Sequence, residues 1–248
     1  MTRIAPGRLA IALGTLLPAV VSAQQPTEPG WPQPMNNDRS FGYAILNQNE
    51  LRTGDGHNTY RWAGEGWYGG NINRAWFKTE GNVSADTGAV DEGEVQGLYS
   101  RAISAFFDLQ AGVRYDFKPS PSRGWAAFGV QGLAPLMFEV SAFAFVSDGG
   151  NYAARVEGHY DLRLTQRFVL QPQLEANFYS RNDPQRAIGA GISDIDTGIR
   201  LRYEFRREIA PYIGIAYQTK FGRTADYARD EGVSVDELRF VAGLRLWY

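Results

Sequence analysis

Cysteine is absent from this chain of 248 residues, and only two histidines are present. The lack of cysteine excludes disulfides, thiolate metal sites and cysteine nucleophiles. Two histidines offer little for general-base catalysis, and no serine lies in a nucleophile-elbow motif. The sequence therefore predicts a protein that is not an enzyme.

The chain also lacks a strong charge imbalance and any long apolar run after its first residues. Its formal net charge is -2, and this mild acidity argues against a nucleic-acid partner, which would need a basic surface. No later stretch has the length and apolarity of a membrane-spanning helix. Membrane strands remain compatible with this composition, because they alternate lipid-facing and lumen-facing residues and average to moderate polarity.

The N-terminus has the pattern of a secretory signal peptide. Two arginines precede an apolar run from Leu9 to Val21, which is followed by small residues. We expect residues 1–23 to be removed on export. Residues 24–40 are rich in Pro, Gln and Asn and show no period, so they predict a short disordered periplasmic leader. A single domain then occupies residues 41–248.

Apolar and polar residues alternate with a period of two along most of this domain. In residues 194–205, for example, Ile199 and Leu201 alternate with Arg200 and Arg202, which is the pattern of a strand. Such segments have the length of about ten residues that a tilted membrane strand needs, and short and long links alternate between them. We therefore predict an all-β fold, a transmembrane antiparallel up-and-down β-barrel of about twelve strands.

Three further features bear on this barrel. Arg101 falls on the face assigned to lipid, which an irregularity such as a β-bulge would explain. The last strand alternates apolar residues up to Tyr248, a pattern similar to the signal read by outer-membrane assembly machinery. Aromatic residues near strand ends are expected to form girdles at the membrane interfaces. They are Trp62, Trp67, Tyr68, Trp76, Phe77, Tyr115, Phe117, Phe178, Tyr179, Tyr203, Phe205, Phe221, Trp247 and Tyr248.

Charged residues on the predicted inward face form the most informative set. One interpretation is an ionic network that fills the bore and pairs buried charges. Another is a metal-binding path, in which imidazole and carboxylate suit Cu(II) better than Cu(I), since Cu(I) prefers soft sulfur. Both can hold at once. The candidate ligands, chosen from inward parity and adjacency, are His159, Glu157, Asp161, Glu139, Glu175 and Met137.

Two segments of the chain resemble the copper resistance protein B family. They are WYGGNINRAWFKTEG, which starts at Trp67, and LYSRAISAFFDLQAGVRYD, which starts at Leu98. Weaker similarity extends the resemblance from Met35 to Tyr248. It implies an outer-membrane barrel that binds copper, contributes to copper tolerance and works alongside periplasmic copper proteins.

One departure from the family pattern shifts attention to the barrel. Many members carry an N-terminal segment rich in Met and His, whereas residues 24–39 contain only Met35 and no histidine. We therefore expect a barrel in the outer-membrane lipid of a Gram-negative bacterium that binds copper ions itself. It would move them across the membrane or retain them there. The alternative is a passive small-solute porin, in which the same charges set selectivity.

Overall fold

The structure, a computed structural model, describes residues 39–54, 57–206 and 208–248, without the side chain of His57. The predicted signal peptide and residues 24–38 of the predicted leader lie outside the described residues. No helix in the described ranges is long and apolar enough to cross a membrane.

The described chain forms one closed antiparallel sheet. Each strand pairs with its neighbours along the chain, and the last strand also pairs with the first. The short β9 continues the line of β8, because both pair with β10, so the barrel has twelve strand positions. This confirms the predicted fold. The elements are β1 (Phe41–Gly54), β2 (His57–Gly69), β3 (Asn73–Ser84), β4 (Val90–Ala102), β5 (Phe107–Lys118), β6 (Arg123–Ala134), β7 (Phe138–Ser147), β8 (Tyr152–His159), β9 (Leu162–Arg163), β10 (Phe168–Tyr179), β11 (Gly191–Tyr203), β12 (Ile209–Lys220), α1 (Gly222–Asp230) and β13 (Asp236–Trp247).

The two ends of the barrel differ in the length of their connections. One end of the barrel, called here the turn end, carries mostly short links. The first strand, β1, begins at this end, and the last strand, β13, finishes there. The other, called the loop end, carries the 11-residue link of residues 180–190 and the link that contains α1. Outer-membrane barrels place short turns in the periplasm and longer loops outside. The predicted alternation of short and long links holds only in part, because the loop-end link of residues 55–56 is shorter than the turn-end link of residues 70–72.

Apolar side chains cover the outside of the barrel and charged side chains fill the inside. Ile213 and Phe240 are 65% and 70% exposed, whereas Glu50, Arg52 and Arg200 are at most 2% exposed. A soluble protein has the opposite arrangement, since charged residues are almost never fully buried unless paired. The pattern fits a wall in contact with lipid around a polar interior.

Arg101 does not mark a bulge, so that expectation is wrong. The register between β4 and β5 is regular at Arg101, which pairs with Leu109, and the nearest irregularity lies between Gly93 and Glu94. Arg101 is the second-last residue of β4 and is exposed. A long side chain at that depth reaches the aqueous interface with its charge while its stem stays on the apolar wall.

Four of the predicted girdle aromatics face the lumen instead. One is Trp247, whose ring lies 6.3 Å from that of Tyr43, which in turn lies 6.1 Å from that of Trp67. Trp76 and Tyr179 pack against a buried apolar cluster inside the bore, and Trp67 lies under the guanidinium of Arg74, 4.8 Å from its ring centroid. The girdle rule uses the distance from a strand end and ignores which face a residue occupies. The cluster was missed by the sequence argument, although alternation along β4 and β7 carries the signal; it consists of Leu98, Trp125, Ala127, Phe143 and Phe145.

A buried ion cluster, called here the seam cluster, joins β1 to β11 across the two strands that close the barrel. Glu50 accepts hydrogen bonds from Arg200 at 2.7 and 2.8 Å, from Arg52 at 2.8 Å and from the hydroxyl of Tyr212 at 2.9 Å. Arg52 also binds Asp196 at 2.7 Å. Gly243 leaves room for the tyrosine, because a Cβ there would lie 2.6 Å from Tyr212 Cζ. The seam therefore closes through side chains as well as through the sheet.

Candidate metal-binding cavity

A cavity of about 570 Å³ lies inside the bore and extends from mid-height to the turn end. Asn71, Ser104 and Phe106, which belong to short turns, form part of its rim. Among the described residues, none from the links at the loop end lines it. The cavity is therefore accessible from the side that faces the periplasm in barrels of this kind.

Ion pairs that cross the lumen form the roof of this cavity. Arg155 on β8 binds Glu94 on β4 at 2.9 Å and also binds Glu80 on β3. Arg61 on β2 binds Glu175 on β10 at 3.1 Å. Three or four strands separate the partners around the barrel, so the side chains span the bore. These five residues are called here the roof, and they confirm the ionic network predicted from inward parity.

Further contacts fill the bore between the roof and the loop end. Arg114 binds Glu94 and Asp116, both at 2.6 Å. Arg186, from the link between β10 and β11, reaches into the barrel and binds Asp116 at 2.9 Å, where Arg186 is only 6% exposed. The hydroxyl groups of Thr224 on α1 and of Ser193 form a hydrogen bond at 2.9 Å. The loop end is thus tied into the wall by buried polar contacts.

One wall of the cavity is formed by β7, β8 and β10. The register places Glu139 opposite His159 and Ser141 opposite Glu157, so all four side chains share the inward face. His159 Nε2 lies 3.0 Å from Glu139 Oε2. This wall, called here the acidic wall, consists of Glu139, Glu157 and His159, and all three line the cavity.

The other predicted ligands are engaged elsewhere. Glu175 belongs to the roof, where it also accepts from Asn177 at 3.0 Å. Asp161 lies below His159 and accepts from Arg202 and from Gln171. Met137 lies in the turn between β6 and β7, is 68% exposed and does not line the cavity.

Glu157 is the best placed of the remaining carboxylates. It accepts from Ser141 Oγ at 3.2 Å, its distance to Arg155 is 3.9 Å, and 41% of its side chain is exposed. In the part of the chain that the structure describes, no three His, Asp or Glu side chains form a group that could hold a metal ion. The structure therefore brings together His159 and Glu139, with Glu157 one inward position higher on β8.

Another part of the cavity is lined by cationic and aromatic side chains that are not among the ligands predicted from sequence. Lys78 Nζ lies 5.6 Å from the ring centroid of Trp76 and 5.0 Å from that of Phe143, and it donates to Gln131 at 2.7 Å. Arg74 binds Asp108 at 2.9 Å. Along β3 these cations share one face, since they occupy alternate positions with Trp76 between them. This wall is called here the lysine wall: Arg74, Trp76, Lys78 and Gln131.

The donor atoms on the acidic wall suit a divalent cation of intermediate softness. Imidazole nitrogen and carboxylate oxygen are ligands that Cu(II) accepts in tetragonal geometry. Two donors at about 2.0 Å from one ion and at a right angle lie roughly 2.8 Å apart, close to the observed 3.0 Å between His159 and Glu139. In the structure the pair forms a hydrogen-bonded contact, so both groups would have to turn toward an ion in order to bind it.

A closed antiparallel sheet with an apolar exterior and a charged interior defines a transmembrane β-barrel of the outer-membrane type. The fold is similar to that of the solved NanC porin, with a TM-score of 0.54, 14% identity and coverage of 83% of this chain and 99% of that one. The family model described as copper resistance protein B precursor matches residues 40–248. The chain therefore belongs to the copper resistance protein B family.

Two relatives show the same family at higher identity. Copper resistance protein B of Escherichia coli is 44% identical over 213 residues, which are 86% of this chain and 71% of the relative. A copper resistance protein B homolog of Pseudomonas syringae pv. tomato is 44% identical over 206 residues, which are 83% of this chain and 69% of the relative.

Proposed function

We propose that this barrel binds Cu(II) ions on the acidic wall and thereby contributes to copper resistance by holding copper at the outer membrane. The observation that carries the proposal is the contact of 3.0 Å between His159 and Glu139 inside a cavity that reaches the turn end. Membership of a copper resistance family supplies the identity of the ion. Met137 supplies no sulfur ligand to this site, because it lies outside the cavity.

The proposal includes a location and a route to it. The chain is exported by the signal peptide of residues 1–23 and its barrel is inserted in the outer-membrane lipid of a Gram-negative bacterium. The turn end then faces the periplasm, so copper reaches the cavity from that side, directly or from periplasmic copper proteins. The roof favours retention over passage, because its ion pairs span the bore above the cavity. No turnover is involved.

Copper titration of the detergent-folded barrel tests this function. In a variant with His159→Ala and Glu157→Gln, we expect Cu(II) binding to weaken by about a hundredfold or more, since loss of an outer-shell partner alone costs about 10–100-fold. His57→Ala is the matched control, because it removes the other histidine of the chain at the loop-end start of β2. Unchanged copper affinity in the double variant would contradict the proposed site.

A further inference from the structure

The acidic wall supplies too few ligands for a bare copper ion. Only His159 and Glu139 come within 3.0 Å of each other there, and no group of three His, Asp or Glu exists in the described ranges. Cu(II) prefers four tetragonal nitrogen or oxygen donors. The remaining coordination positions are therefore filled by water or by groups that arrive with the ion.

The lysine wall offers N–H groups, which donate hydrogen bonds and cannot act as metal ligands. Lys78 has three N–H donors, and one of them is taken by Gln131 at 2.7 Å. Its nearest carboxylate, Glu65, is 3.6 Å away, which is longer than a good charge-assisted hydrogen bond. Because Gln131 accepts from Lys78 through its oxygen, its amide N–H₂ remains available as a donor. Lys78 and Gln131 therefore suit a small anion.

Lys78 and the acidic wall line the same cavity from different sides, and Gln131 lies between them, because it is the register partner of Ser141 on β7. Lys78 and Gln131 lie on β3 and β6, whereas His159 and Glu157 lie on β8, and all of them line the volume of about 570 Å³. Four strands separate β3 from β8 around the barrel. A volume of this size accommodates a small molecule, and here its two sides carry opposite preferences.

We infer that the cavity takes copper as a complex with a small carboxylate chelator, with the metal on His159 and Glu139 and a carboxylate oxygen of the chelator on Lys78 and Gln131. This inference rests on the proposed function and specifies the form of the cargo. The chelator supplies the metal donors that the acidic wall lacks. Its carboxylate supplies the acceptor for the lysine wall.

Two chelates of equal ring size test the inference. The 1:1 complexes of Cu(II) with glycine and with ethylenediamine both contain a five-membered ring and leave coordination positions open, but only the glycine complex carries a carboxylate. By charge alone, the acidic wall prefers the ethylenediamine complex, which is more positive. We expect the reverse, with the glycine complex bound about tenfold more tightly in titrations of the folded barrel, as one charge-assisted hydrogen bond supplies.

Variants of Lys78 test whether its positive charge and N–H groups cause this preference. Lys78→Met is expected to remove the preference for the glycine complex, and Lys78→Arg to keep it. Lys118→Met is the matched control, because Lys118 is exposed at the loop end of β5. Circular dichroism and heat-dependent gel migration verify that each variant is folded; should Lys78→Met not fold, Lys78→Leu replaces it.

The outcomes separate this inference from the proposed function. If neither complex nor free Cu(II) binds, or if His159→Ala changes nothing, the proposed copper site fails and the inference fails with it. If copper binds through His159 but the ethylenediamine complex binds as well as the glycine complex, only the inference is overturned. A preference for glycine that persists in Lys78→Met or in its replacement Lys78→Leu also overturns it.

Discussion

Replacement of Arg155 by alanine is expected to raise the conductance of the barrel and to make it prefer cations. Arg155 spans the bore from β8 and contacts Glu80, Glu94 and Asn177. Its loss leaves Glu80 with Arg61, at 3.8 Å, as its only cationic partner among the described residues. Carboxylates without partners retain water, and rings of carboxylates select cations. Single-channel recording in a planar bilayer measures the change.

Stability provides a second measurement on the same variant. Removal of one member of a buried ion network costs about 3–5 kcal/mol, because the remaining charges lose their compensation. Arg223→Ala is the matched control, since Arg223 is exposed on α1 at the loop end; we expect it to change neither conductance nor stability. A wild-type barrel that already conducts as well as Arg155→Ala would favour the passive porin.

The side of the sheet on which each residue lies was predictable from sequence, because a strand has a period of two. Arg200 and Arg202 were placed inside on this basis, and both are at most 2% exposed. Glu139 and His159 were placed inside on neighbouring strands, and the register sets them opposite each other. Local alternation therefore predicted the fold and one pair of the candidate site.

The partners of the inward charges were not predictable in the same way. Arg155 and Glu80 are 75 residues apart in the chain, and their contact depends on how far the strands are staggered around the closed barrel. No local pattern encodes that stagger. Met137 illustrates a different limit, since Leu136 and Met137 both adopt φ of 65° in the turn, and this geometry places Met137 outside the cavity.

The lysine wall was not predicted from sequence, because its residue types are not metal ligands. Alternate positions on β3 are occupied by Arg74, Trp76 and Lys78. The sequence alone therefore indicates that they share one face of the strand. Two of them are cations, which do not bind metal ions, and Trp76 was assigned to an interfacial girdle. Their meaning follows only from the acidic wall across the lumen, and that requires the closed barrel.

Replacement of Glu50 by alanine is expected to destabilise the barrel by about 3–5 kcal/mol, the usual cost of leaving buried charges without their partner. Glu50 is 1% exposed and holds Arg52, Arg200 and Tyr212 together in the seam cluster. Without it, Arg52 keeps its ion pair with Asp196 at 2.7 Å, whereas Arg200 loses the carboxylate to which it donates two hydrogen bonds. Equilibrium unfolding in urea, followed by tryptophan fluorescence of the detergent-folded barrel, measures the loss.

Two further variants provide comparisons for Glu50→Ala: one removes a single hydrogen bond to Glu50, and the other removes an exposed charge elsewhere. Tyr212→Phe removes one hydrogen bond to Glu50 and should cost about 1 kcal/mol, since the ring still packs over Gly243. Glu231→Ala is the control, because Glu231 is exposed beyond α1; we expect a change within about 0.5 kcal/mol. A Glu50→Ala barrel as stable as the Glu231→Ala barrel would mean that backbone pairing of β1 with β13 alone closes the sheet. The seam cluster would then only fill space.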